Sequence, residues 1–253
     1  MKELVSIIIP ILNPDLNPTH ERLLHNSLQV LANYPVVFIT FPDADLSIVR
    51  EHKEEIDVVY FSKEYFESRE ALGKLFLMAD FYEQFSWSSF LLIHELNTWI
   101  FKDELHYWCK QGYDYLRAAP VSDKTSAFDH LLDGLSRFKG LSGQEKENLG
   151  IRFQDNGLYL CLIERMVKTL KSRQKTSYQY RHEHNLVNRD SVFWELEANR
   201  FWTSLRKPTA IVQSYFAQHI DNQTNGIPGI KDNLPFALTG ITAKNIDSLA
   251  HFK

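Results

Sequence analysis

A chain of 253 residues with 44% hydrophobic and 13% aromatic residues can bury the core of one large α/β domain without disulfide or metal staples. A net charge of -4 and a pI near 6.2 leave no basic footprint for nucleic acid, so none is expected as a partner. No stretch approaches the ~18 consecutive apolar residues that a spanning helix needs. Cys109 and Cys161 fit no paired spacing and read as buried free thiols in a reducing cytoplasm.

The first ten residues mimic a short signal peptide. Their apolar run is brief, an acid lies near its start and no small-residue cleavage site follows. Leu4 to Ile11 is therefore read as a buried first strand, ending in the polar loop from Leu12 to Asp15. Thr19 is placed to cap a helix that runs to about Asn33, with Leu23, Leu24, Leu28 and Leu31 at helical spacing. Pro35 breaks it, and Val36 to Thr40 form the second strand. A helix capped by Asp45 runs to about Glu54, and Ile56 to Phe61 form the third strand. Such β-α-β steps argue a parallel sheet with right-handed crossovers.

Ser68 opens the next helix, with Leu72, Leu75, Phe76 and Ala79 inward. Phe90 to His94 is a buried strand, and Glu95 and Asn97 follow it at once. Open α/β sheets bind ligands just beyond the carboxyl ends of their strands. In extended chain, residues two apart point the same way, so both groups could reach one ligand. Asp103 is expected to cap a helix to about Lys110, and Tyr113 to Ala119 to form another strand. Val121 to Gly150 reads as a lid, an acceptor loop or a plain surface excursion with a short helix near Ser126 to Leu135.

Strand character is expected again over Ile151 to Leu160, followed by an amphipathic stretch from Leu162 to Lys171. The basic tract from Lys171 to Thr176 and the stretch from Tyr178 to His184 read as polar chain. His182-Glu183-His184 lacks the spacing of a zinc helix and is taken as loop. The wider tract from Lys168 to Arg189 is a solvated face or a contact for acidic glycan, lipid phosphate or diphosphate. Asp190 caps a helix that contains Phe193, Trp194 and Leu196, a further helix spans Thr209 to His219, and Asp221 to Asn233 is loop. Trp99, Trp108 and Trp194 sit at core positions, and Trp202 is free to stack on a sugar ring. With no repeat or linker, one domain over 1–253 is expected, with a nucleotide-binding half at 1–119 and an acceptor-side half at 120–253.

Several stretches together resemble a bacterial family of uncharacterised GT-A-type glycosyltransferases from surface-polysaccharide loci. They include Ile7-Ile-Ile-Pro-Ile11, Lys63-Glu-Tyr-Phe-Glu-Ser68, Asp80-Phe-Tyr82, the run from Glu95 to Leu105, and Trp108 to Tyr115. Weaker echoes lie in Asp155-Asn-Gly-Leu-Tyr-Leu160, Asp190-Ser-Val-Phe-Trp194 and Pro235-Phe-Ala237. The resemblance implies a GT-A-like, Rossmann-like, mostly parallel sheet flanked by helices. It also implies a nucleotide-diphospho-sugar donor and a surface glycan or lipid-linked acceptor, handled in the cytoplasm or at the inner face of the cytoplasmic membrane by peripheral association. Scaffold residues of the pattern survive while polar ones are exchanged: Glu95-Leu-Asn97 stands in place of Gln-Leu-Asp, Leu72-Gly-Lys74 in place of Tyr-Asn-Arg, and Thr239 in place of a His.

Sugar transfer needs a cradle for the nucleotide, neutralisation of the leaving diphosphate and, for inversion, a base on the acceptor hydroxyl. Pro10, Ile11, Leu12 and Asn13 are assigned the cradle, and Lys74 the phosphate. Glu95 and Asn97 are the candidate ligands of Mg²⁺ or Mn²⁺, a site weakened by having one carboxylate. Asp155 and Asp190 are the candidate bases; their plain alternatives are a turn and a helix cap. The rival expectation is a catalytically inactive relative that binds sugar nucleotide or glycan, or serves as a subunit of a polysaccharide assembly complex. A nucleotidyltransferase is disfavoured by the lack of a Gly-rich loop after the first strand.

Overall fold

In the first strand Val5, Ile7, Ile9 and Ile11 pack into one apolar cluster and Ile8 into another, as a sheet covered by helices on both faces requires. The computed structural model of the chain describes residues 2–119, 142–152, 157–200, 202–220 and 234–249. Its strands are β1 (Glu3–Pro10), β2 (Val36–Thr40), β3 (Asp57–Tyr60), β4 (Ser88–His94), β5 (Thr98–Ile100), β6 (Tyr115–Arg117), β7 (Leu158–Leu162), β8 (Ala217–His219) and β9 (Ala237–Thr239). The helices are α1 (Pro18–Val30), α2 (Ser47–His52), α3 (Arg69–Leu75), α4 (Ala79–Glu83), α5 (Leu105–Cys109) and α6 (Gly143–Arg152). They continue with α7 (Ile163–Ser172), α8 (Gln174–His182), α9 (Arg189–Val192, running into a π-helical turn over Phe193–Glu197), α10 (Ala210–Phe216) and α11 (Ile246–Leu249).

The main sheet has the order β3-β2-β1-β4-β7-β6. Its first four strands are parallel, while β7 runs antiparallel to both β4 and β6. Five of the six strands therefore run one way and β7 alone runs against them, so the sheet is mixed yet mostly parallel, as expected. Strand direction is invisible in a short apolar run such as Leu158 to Leu162, which reads the same from either end. A second sheet, β5-β9-β8, flanks the first. It is tied to α1 by Asn26, whose buried side-chain amide donates to the Ile100 carbonyl at 3.1 Å and accepts from the Ile100 N–H at 2.8 Å.

Local side-chain hydrogen bonds account for several helix starts. Asn17, rather than Thr19, caps α1: its side chain accepts from the His20 N–H at 2.9 Å, with Pro18 at the first helical position. Ser68 caps α3 as expected. Asp45 accepts from the Ser47 N–H at the start of α2, but Asp103 turns instead to the Tyr34 hydroxyl. In place of strand over Ile151 to Leu160, α6 runs through Arg152 and β7 begins at Leu158. The reason is a reciprocal cap, in which Ser142 N–H and hydroxyl donate to Glu145 while Glu145 N–H donates to Ser142.

The polar tract from Gln174 to His182 is helical, because Ser177 and Tyr180 lie three apart and go inward, with Tyr180 packed edge-on against Phe193. The helix expected from Thr209 to His219 stops at Phe216, since Ala217 to His219 pair with β9. The loop from Asp221 to Asn233 and most of the insert after Val121 lie outside the described residues. Cys109 and Cys161 are buried free thiols, and burial pushes the Cys109 pKa up to about 12. No helix among the described residues is long and apolar enough to cross a membrane.

Candidate functional site

Strand order reverses between β1 and β4. From β1 the chain winds one way to β2 and β3; from β4 the sheet extends the other way. At such a reversal the loops leaving the two strands diverge and open a crevice at their carboxyl ends. The crevice here has a volume of about 200 Å³. Pro10, Ile11, Leu12 and Asn13 line it from the end of β1, Glu95, Leu96 and Asn97 from the end of β4, and Leu16 and His20 from the start of α1. The two expected clusters of site residues therefore share one hollow. Three larger hollows, of about 460, 400 and 330 Å³, lie beside α8, beside α7 and between α5 and α10, away from the reversal.

On the β1 side, Asn13 folds its side chain back to accept from the Asp15 N–H at 3.1 Å, which stiffens the loop and leaves Asn13 exposed. On the β4 side the chain turns at Leu96 and Asn97 rather than staying extended. Glu95 and Asn97 nonetheless both border the crevice. The turn is held by the Glu95 N–H donating to the Gly157 carbonyl at 2.7 Å and the Ile241 N–H donating to the Asn97 carbonyl at 2.8 Å. Gly157 has φ +79°, and a Cβ there would lie 2.2 Å from the Asn97 side-chain oxygen, so only glycine fits.

Sequence reasoning missed the cation of this site. Arg69, the first residue of α3, places its Nε 2.6 Å from Glu95 Oε1 and its two terminal nitrogens 3.0 and 3.4 Å from the two oxygens of Asp190. Asp190 is not the cap of its helix; Asn188, in left-handed conformation, holds that position. With 2% of its side chain exposed, Asp190 grips Arg69 from behind, so it positions the guanidinium and is poorly sited to meet an acceptor hydroxyl. Gly73 makes the approach possible, because a Cβ there would sit 2.7 Å from Asp190 Oδ1. A second link between the same elements runs from the Asn188 N–H to the Glu70 carboxylate at 2.9 and 3.0 Å. A cap at Ser68 followed by Arg69 and Glu70 was legible as a helix start, but nothing local pointed to partners 26 and 121 residues away.

Lys74, assigned to phosphate, is exposed in the last turn of α3 and does not border the crevice. Asp155 lies outside the described residues. His20 was also overlooked. It borders the crevice from the first turn of α1, and burial lowers its pKa, which keeps the ring neutral near pH 7. The Thr239 hydroxyl shares a hydrogen bond of 3.0 Å with His219 Nδ1 on the neighbouring strand β8.

Glu95 and Asn97 do not make a ready seat for a hard cation. Glu95 Oε1 is already held by a guanidinium, and the Asn97 side-chain oxygen accepts from the Thr98 hydroxyl at 3.0 Å. Such ions take six or more oxygen ligands, commonly several carboxylates. Among the described residues no group of three His, Cys, Asp or Glu converges.

A family profile described as "Protein of unknown function (DUF5672)" matches residues 55–238. The matched span runs from β3 into β9. It contains Arg69, Glu95, Asn97, Gly157 and Asp190, and leaves out the β1 loop and His20. No curated protein matches the chain.

Proposed function

The chain belongs to the family of proteins of unknown function DUF5672, and on that premise we propose that it is a GT-A-like glycosyltransferase. It binds a nucleotide-diphospho-sugar in the crevice between β1 and β4 and passes the sugar to a surface glycan or lipid-linked acceptor. The observation that carries this reading is the meeting of Pro10–Asn13 and Glu95–Asn97 in one crevice at the reversal of strand order. The β1 loop receives the nucleoside. The amino end of α1 faces the diphosphate with positive charge, Arg69 holds the Glu95 carboxylate in place at the crevice edge, and Glu95 and Asn97 hydrogen-bond to sugar hydroxyls. The acceptor oxygen attacks the anomeric carbon, the bond from that carbon to the diphosphate oxygen breaks, and the diphosphate leaves with the electron pair. Neutral His20 takes the acceptor's proton. No step is routed through a metal ion.

The test is a thermal-shift panel of UDP-, GDP-, CMP- and dTDP-sugars, run in EDTA and in Mn²⁺. At a hundred times Kd a donor adds about 2.7 kcal/mol of stability, a rise of several degrees in Tm. Asn13→Trp, which fills the crevice from an exposed loop position, should erase the rise. A panel with no response in either condition rejects the reading.

The second reading is a protein that binds donor without turning it over. The burial of Asp190 behind Arg69 favours it, since one acid of the expected chemistry is committed to a structural bridge. Donor binding without release of free nucleoside diphosphate in the presence of glycan acceptors would select it.

A further inference from the structure

We propose that the helical hairpin α7–α8 is an electrostatic docking surface for an anionic lipid bilayer. Charge in this chain is segregated. Residues 163–182 carry six Lys or Arg against one acid, whereas the chain as a whole has a net charge of -4. The remaining residues therefore carry a net charge of -9. Neutral burial needs do not explain such a separation. The apolar side of α7, with Ile163, Met166 and Leu170, is already packed in the core, while Lys168 and Lys171 stand exposed on α7 and Lys175 stands exposed in the first turn of α8.

The cations have neighbours suited to a headgroup layer. Tyr178 is 55% exposed on α8, and Trp87 is 42% exposed in the turn before β4. Trp87 follows Ser86, which shares a hollow with Lys2 and Lys168. Amphipathic rings beside lysines are the residues that settle at the boundary between water and lipid. Between α8 and the α3–α4 turn lies the hollow of about 460 Å³, lined by Lys171, Gln174, Ser177 and Arg181, with room for a phosphate headgroup. Acids nearby temper the field without cancelling it: Glu83 pairs with Lys171 and, with Glu164, lines the hollow beside Lys168, Glu183 pairs with Lys146, and Asp80 borders the hollow beside α8. A bilayer fits better than a nucleic acid, because the rest of the chain would repel a polyanion that wraps around it. A flat anionic surface needs to meet the hairpin face alone.

Cosedimentation of the full chain with vesicles tests this. Vesicles of phosphatidylcholine and phosphatidylglycerol in equal parts should bind the protein at low salt, those of phosphatidylcholine alone should not, and raised salt should release it. Lys168→Gln, Lys171→Gln and Lys175→Gln together should weaken binding by about a hundredfold, taking each cation near the surface at its usual worth. The same three changed to Arg should bind as the parent does. Because all three positions are exposed on helices, the variants should keep the parental Tm. Equal binding to both vesicle types, undiminished binding of the glutamine variant, or binding to duplex DNA in preference to anionic vesicles would each overturn the proposal.

Discussion

Two charge clusters sit on the same face of the main sheet, and they are inverses of each other. At the crevice one cation, Arg69, lies between two acids, Glu95 and Asp190. Near the end of β6 one acid, Glu195, lies between two cations, with Arg117 Nε at 2.8 Å and Lys207 Nζ at 3.3 Å. Lys207 also donates to the Trp194 and Glu195 carbonyls exposed by the π-helical turn, and lies over the Tyr115 ring. Every member of the second cluster is spent on the others, and none borders the crevice. In the first cluster Glu95 does border it, with its acid already neutralised. The same ionic chemistry holds the fold together in one place and leaves a carboxylate bordering a crevice in the other.

If that contrast is right, Glu195→Gln should be the most damaging change considered. It leaves two cations without their carboxylate, and breaking such a buried set costs about 3–5 kcal/mol, read as a fall in the denaturant midpoint. Glu95→Gln should cost about 1 kcal/mol or less, because Arg69 keeps Asp190, yet it should weaken donor binding. Equal losses of stability from the two would break the comparison.

A buried group that stays uncharged sharpens it from the other side. His94 is fully buried, and desolvation lowers its pKa to about 4. The Ser27 hydroxyl donates to the Leu23 carbonyl at 2.8 Å, so it accepts from His94 Nε2–H, also at 2.8 Å. The unfolded chain takes up this proton from about pH 6.5 downward while the folded chain resists until about pH 4. Stability is therefore whole above pH 6.5 and falls by about 3 kcal/mol as the pH drops to 4, and His94→Gln should flatten that fall. A chain whose Tm ignored pH in this window would deny that the ring is held neutral.

Smaller effects test the geometry of the crevice. Gly157→Ala forces a side chain into a left-handed position and against Asn97, for a cost of about 1–2 kcal/mol with loss of donor binding. Lys74→Ala should change stability by less than about 0.5 kcal/mol and leave donor binding intact, unlike Arg69→Ala. A strong binding defect at Lys74 would return the phosphate to the residue that sequence reasoning chose.

What could be read along the chain was whatever depends on near neighbours. The apolar runs of β1 to β4, the Ser68 cap, the amphipathic stripe of α7 and the polar residues at two strand ends all follow from period and local hydrogen bonding, and all stand where expected. Where a local signal was overlooked, as with the Ser142–Glu145 cap, helix and strand were exchanged. Other features were decided only when distant segments met: the reversed direction of β7, the small sheet built from β5, β8 and β9, and the choice of Arg69 over Lys74. Two residues five apart on one short helix have nearly the same local chemistry. Only the approach of Glu95 from one side and Asp190 from the other, made close by Gly73, determines which of them is held in an ion pair and which is left to water.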